Sequence, residues 1–183
     1  RGVADAGAYV SQTAPVVFRS AVTAAGPYEV GAIAADSYGV CTNRNPSGAF
    51  RGFGSTQASF ACEIQMDELA RAIGMDPAEL RRRSGYAPGR RTGTGQLLDE
   101  GVGYLGTLEA AAAGLARMRA EFELPSAPGR LVGFGLASSY KNVGIGTGLE
   151  DGAGAAVGIS AEGRAYVRTG AADMGQGSDT VAA

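Results

Sequence analysis

Hydrophobic positions change period twice along the chain. Residues 8 to 42 carry short apolar runs, "AYV", "PVVF" and "GAIAA", broken by Gly26-Pro27 and Gly39 and interleaved with tyrosine and valine. Short β-branched runs between turn residues predict strands and turns there. From Thr56 the period lengthens: Cys62, Met66, Leu69, Ala70 and Ile73 fall at i, i+4, i+7, i+8 and i+11, one stripe of a helix that Gly74 can end in a left-handed cap. Asp76-Pro77 restarts a second helix to about Ser84, with Asp as N-cap and Pro at the first helical position.

Residues 85 to 106 read as a connection with one short helical turn at "GQLLDEG". Thr107 then caps a third helix, "LEAAAAGLARMRAEF", in which Leu108, Ala111, Leu115, Met118 and Phe122 share a face and which Pro125 stops. Past Pro128-Gly129 the strand pattern returns in "RLVGFGLA", then in "GAGAAVGIS" and "RAYVRTG", which Ala161-Glu162-Gly163 joins as a hairpin. Strands, then helices, then strands predict an α+β fold, mixed sheets with a central helical segment, more than a regular βαβ alternation. The expected division is a β-rich segment over 1–55, a helical segment over 56–124 and a β-rich segment over 125–183.

Composition narrows the chemistry. The 183 residues include no histidine and only two cysteines, Cys41 and Cys62. This chain therefore supplies no Ser-His-Asp or Cys-His catalytic group, no His-containing zinc or non-haem iron site and no four-cysteine iron-sulfur cluster, so no metal ligand set is expected. Cys62 sits on the apolar helix stripe, where a small buried hydrophobe is its expected role and a reducing, cytoplasmic setting the inference. A net charge of −2 gives no electrostatic reason to expect nucleic acid or an anionic membrane as partner. The cluster Arg81 to Arg83 with Arg90 and Arg91 is expected at a solvated helix end. With Arg1 at its start and a new helix beginning near Thr180, the chain reads as a piece of something longer.

Two glycine loops carry the candidate chemistry. "AFRGFGSTQ" puts Gly52 and Gly54 directly before a helix, so backbone N–H groups and the positive helix end point the same way, and Arg51 adds a planar cation suited to oxygen-rich anions. A strand-to-helix turn capped by Ser55 or Thr56 accounts for the same pattern. "DMGQGSDT" repeats the arrangement at Asp173 to Thr180: Gly175 and Gly177 flank Gln176, which both donates and accepts, ahead of the N-cap residues Ser178, Asp179 and Thr180. Neither is a phosphate loop of the GxxxxGK[ST] type, because the sole lysine, Lys141, precedes Asn142; Gly144, Gly146 and Gly148 lack the third spacing of a dinucleotide fingerprint.

"TNRNPSGAFRGFGSTQASFACE" followed about 120 residues later by "DMGQGSDT" resembles the molybdopterin-binding large subunit of the molybdenum hydroxylases, the xanthine dehydrogenase and aldehyde oxidase family. "DAGAYV", "GPYEV", "ARAIGMDPAELRRRS" and "LEDGAGAAV" extend the resemblance over essentially the whole chain, as an internal stretch of a longer subunit. It implies a molybdopterin-dependent oxidoreductase that hydroxylates an N-heteroaromatic, purine-like, or aldehyde carbon with oxygen from water. The molybdenum is held by a pyranopterin, possibly as a dinucleotide, with no protein ligand. Iron-sulfur clusters and a flavin are implied on other domains or subunits. Carried over by position, Arg51 lies against the cofactor, Phe53 stacks on the substrate ring, and Met174, Gly175 and Gln176 form the loop that hydrogen-bonds the pterin. Arg19, 32 positions before Arg51, falls at the interval of a substrate-contacting arginine in purine-oxidising members; an exposed strand arginine is the alternative. The upstream glycine loop and the downstream general base of the family lie outside this stretch, so no catalytic residue is expected within it, and Glu63 and Glu68 do not take that role. The isolated piece is expected to be inactive, and a binding or scaffold relative that has lost the cofactor is the alternative function.

Overall fold

The computed structural model describes residues 1–123, 129–142, 144, 150 and 152–182, arranged as two compact units, 1–141 and 142–183. The first holds β1 (Gly2–Gly7), α1 (Thr13–Val22), β2 (Ser37–Cys41), α2 (Ser55–Ala72), α3 (Pro77–Ser84) and α4 (Tyr104–Glu121). The second holds β3 (Ala155–Ile159), β4 (Ala165–Thr169) and α5 (Ser178–Ala182). Mixed helices and small sheets make this an α+β chain. The stop at Pro125 and the glycines Gly146 and Gly148 lie outside the described residues.

β1 and β2 pair in parallel, from Gly2 opposite Ser37 to Asp5 opposite Val40, with the register shifting before Gly7 meets Cys41. A parallel pair needs a crossover, and α1 supplies it. This corrects the expectation of strands and turns throughout 8–42: "TAPVVFRSAV" is a helix. Pro15 sits in its first turn, where the missing N–H costs nothing, and the β-branched valines yield to packing of α1 on β2 and α2.

α2 follows the expected period, and its end is the motif that Gly74 implied: Gly74 N–H donates to the Arg71 carbonyl and Met75 N–H to that of Ala70, with φ +66° at Gly74. Asp76 caps α3 as expected, accepting from the N–H groups of Ala78 and Glu79 at 2.9 and 3.0 Å. α4 begins three residues before its expected cap, and the Thr107 hydroxyl donates back to the Tyr104 carbonyl instead. "GQLLDEG" forms no helical turn but an Arg91 to Leu97 bridge, and "RLVGFGLA" joins no strand ladder. The hairpin is present: β3 and β4 pair antiparallel around a turn with Gly163 at φ +78°.

The core of the first unit includes Pro27, Tyr28, Ala70, Leu80, Tyr86 and Leu108 together with buried charged side chains. Arg81, expected in solvent, is fully buried between Glu63 and Asp67 of α2. Arg82 and Arg83 behave as a surface helix end, pairing with Glu79 and Glu109, and Arg90 serves the same end by donating to the Arg83 and Gly85 carbonyls at the C-terminus of α3. Glu63, adjacent to the apolar stripe of α2, is buried, while Leu69 and Ile73 on that stripe are half exposed. Among the described residues no helix is long and apolar enough to cross a membrane.

Candidate functional site

The first glycine loop is built by an unusual backbone. Four consecutive residues, Arg51, Gly52, Phe53 and Gly54, have φ of +44°, +81°, +55° and +96°. For the two non-glycines this left-handed conformation costs about 1–2 kcal/mol each, so surrounding contacts must hold the turn. Within it, Ser55 donates its N–H and its hydroxyl to the Gly52 carbonyl. From outside, the Ser20 hydroxyl of α1 donates to the Gly54 carbonyl at 2.8 Å. A Cβ at Gly54 would lie 2.2 Å from the Val16 carbonyl oxygen, so the loop backbone rests directly on α1.

The turn leaves Arg51 exposed and Phe53 half-buried. Among the described residues the Arg51 guanidinium makes no ion pair or hydrogen bond. Gly54 occupies the N-cap of α2 and no side chain caps the helix. The turn capped by Ser55 or Thr56 is therefore corrected: Ser55 faces back to Gly52, and Thr56 bonds the Gln57 side chain. Open N–H groups at a helix start, an exposed cation and a bare backbone suit a large anionic, oxygen-rich group.

Arg19 is neither on a strand nor exposed. It lies on α1 with 6% of its surface accessible, one residue before Ser20 and hence one helical position from the tether to the loop.

In the second unit the other loop is organised by a residue that the glycine pattern did not single out. The Asp173 carboxylate accepts from the N–H groups of Gly175 and Ser178, both at 2.6 Å, and these two bonds hold its pKa below the usual aspartate value. Asp followed two residues later by glycine is a legible signal for such a side-chain turn. Gln176 folds onto its own loop: its Oε1 accepts from Met174 N–H, and its Nε2 donates to the Ala172 carbonyl and the Ser178 hydroxyl. Met174, Gly175 and Gln176 are all exposed, with Gly175 at φ +104°. An exposed amide with both donors and its acceptor engaged locally can exchange those partners for the edge of a polar heterocycle. Arg51, Phe53 and Arg19 thus share one unit, and Met174, Gly175 and Gln176 share the other.

A buried polar cluster ties α2, the helix that follows the first loop, to α3. Glu63 on α2 accepts from the Tyr28 hydroxyl, from Arg81 Nε at 2.8 Å and from Ser138 N–H at 2.8 Å. Burial, and then the bond to Glu63, push the Tyr28 phenol far above its ordinary range. Burial alone would lower the Arg81 guanidinium, but its bonds to Asp67 and Glu63 outweigh that and keep it charged. Among the described residues no group of acidic and cysteine side chains could hold a metal ion.

Residues 1–84 match the model of a molybdopterin cofactor-binding domain, and residues 108–183 match a second molybdopterin cofactor-binding domain model. The nicotinate dehydrogenase large molybdopterin subunit of Eubacterium barkeri is 46% identical over 107 residues, covering 58% of this chain and 25% of that protein. The xanthine dehydrogenase molybdenum-binding subunit of Escherichia coli is 32% identical over 182 residues, 98% of this chain and 24% of its own length. Among solved structures, the aldehyde oxidoreductase from Desulfovibrio desulfuricans ATCC 27774 is similar with a TM-score of 0.56 and 29% identity, over 64% of this chain and 13% of that one. The chain spans a quarter or less of the length of these relatives.

Proposed function

The chain belongs to the molybdopterin cofactor-binding family that includes xanthine dehydrogenase and aldehyde oxidoreductase, and from that premise we propose that it forms part of the cofactor cleft and substrate pocket of a molybdenum hydroxylase. The observation that carries the reading is the turn Arg51 to Gly54 at the uncapped start of α2, which offers a guanidinium and open N–H groups to an anionic cofactor. In this reading Arg51 pairs with the cofactor's oxygen-rich flank. Phe53 stacks on the substrate ring, and Arg19 orients the substrate from α1. Met174, Gly175 and Gln176 hydrogen-bond the pterin, with Asp173 holding their loop in shape. The pyranopterin-bound molybdenum, when present, supplies two-electron redox chemistry that no side chain of this segment provides.

An N-heteroaromatic ring is the favoured substrate class, supported by 46% identity to a nicotinate dehydrogenase subunit over 107 residues. Oxygen from water enters the product. Electrons leave to iron-sulfur and flavin carriers on other domains or subunits of a cytoplasmic enzyme. The general base belongs, in this reading, to a part of the parent subunit outside this segment: Glu63 is committed to Tyr28, Arg81 and Ser138, and Glu68 pairs with Arg71 on the surface.

The test is the full-length parent subunit with its partners, purified from its natural source. About one molybdenum atom per chain, and ¹⁸O from labelled water in hydroxylated nicotinate, are the expected results. A folded full-length protein that takes up no molybdenum under cofactor-replete conditions would instead make it a binding or scaffold relative.

A further inference from the structure

We propose that Ser20 is a positioning residue that sets how the Arg51–Phe53 turn presents its side chains to the substrate. The proposal rests on Phe53 lining the substrate pocket. Positive φ at four successive residues is a conformation that the loop does not reach by local preference, since Arg51 and Phe53 carry side chains. One internal tether, from Ser55 to the Gly52 carbonyl, closes the turn on itself but leaves its orientation free. The bond from Ser20 to the Gly54 carbonyl fixes that orientation, because it crosses 34 residues of sequence to a different element.

The two surfaces meet without a gap. A Cβ at residue 54 would fall 2.7 Å from the Ser20 hydroxyl oxygen and 2.2 Å from the Val16 carbonyl oxygen. Loop and helix can approach only because glycine stands there. α1 is itself held: its Thr13 methyl presses where a Cβ on Gly39 of β2 would be, at 2.5 Å, and Thr13 and Arg19 are both buried. The strand pair therefore braces the helix, the helix braces Gly54 through Ser20, and Gly54 lies next to Phe53. Ser20 needs no contact with the substrate to act. Without its hydroxyl the turn keeps its internal closure but gains freedom to pivot on α2, and a ring-stacking side chain that pivots loses substrate binding before it loses cofactor.

The test compares wild type, Ser20→Ala, Ser20→Thr and Phe53→Ala in the full-length holoenzyme, with nicotinate and a dye acceptor. Molybdenum content and thermal midpoint are measured alongside kcat and KM. For Ser20→Ala the expected result is a KM raised about 5- to 10-fold, the weight of one lost hydrogen bond. Its molybdenum content, midpoint and kcat stay near wild type, and Ser20→Thr, which keeps the hydroxyl, returns KM most of the way. A raised KM in Phe53→Ala beside an unchanged KM in Ser20→Ala overturns the role of Ser20 alone. A Ser20→Ala loss that tracks molybdenum content or midpoint, and that Ser20→Thr does not rescue, overturns it as well, marking a purely structural serine. An unchanged KM in Phe53→Ala, or a wild type that does not turn over nicotinate, overturns the reading of the pocket and the proposal with it.

Discussion

Arg81 of α3 reaches back to α2 and seats its guanidinium on the buried carboxylate of Glu63, Nη2 to Oε2 at 2.7 Å, with no part of the arginine side chain accessible to solvent. A second arm, Nη1, holds Asp67 at 2.7 Å. Removing one member leaves the other as an uncompensated buried charge, so Arg81→Ala is expected to destabilise the parent subunit by about 3–5 kcal/mol. Denaturant unfolding of the domain reads this. The double variant Arg81→Met with Glu63→Leu should lose less than either single alanine variant, since no lone buried charge remains and Asp67 is half exposed to water; equal or larger losses would contradict the pairing.

Gly54→Ala is expected to cost more than its size suggests. The new methyl would meet the Val16 carbonyl at 2.2 Å, and φ of +96° is closed to alanine without strain of about 1–3 kcal/mol. Thermal unfolding of this variant beside Gly106→Ala on α4, where a Cβ has open space, separates the contact from a generic glycine effect. A similar midpoint for both would rule out the tight seating of the loop on α1.

Asp173 makes the second loop sensitive to acid in a defined direction. Its folded pKa is lowered by the N–H groups of Gly175 and Ser178. The ordering it contributes is fully present above the usual aspartate value near 3.8 and is lost as pH falls through the lower folded value. Amide chemical shifts of Gly175 and Ser178 should therefore be flat from pH 5 to pH 8 and move only in stronger acid. Asp173→Asn should abolish the acid transition at these two amides; its persistence would assign it elsewhere.

Cys62 should be nearly inert to alkylation at ordinary pH. Burial, and then the Glu63 charge, push its thiol up to about 11, which leaves about 0.1% thiolate at pH 8. Peptide-resolved mass spectrometry after iodoacetamide treatment should show little label on Cys62 at pH 8 and a steep rise as the pH approaches 11. Ready labelling at pH 8 in the folded protein would contradict the raised thiol of this half-buried side chain.

Local chemistry along the chain was legible wherever a few neighbouring residues decide the outcome. Asp76-Pro77 specified a helix start because the carboxylate caps N–H groups two and three residues on, and Gly74 specified a helix end because only glycine adopts the required φ without cost. Both glycine loops, the β3–β4 hairpin and the family resemblance came from such short-range signals. The helical identity of "TAPVVFRSAV" did not, because its valines favour a strand locally and only the parallel pairing of β1 with β2 demands a crossover there. Nor did the burial of Arg81, whose neighbours Arg82 and Arg83 are chemically identical and face the surface. Burial depends on the face that α3 turns to α2, and a charge enters the interior only where partners from another element meet it. The same reasoning applies to Ser20 and Gly54. By itself the sequence determined which residues could form a left-handed, cation-bearing turn before a helix; the tertiary structure decided what holds that turn, since a hydrogen bond across 34 residues exists only after α1 and α2 have packed.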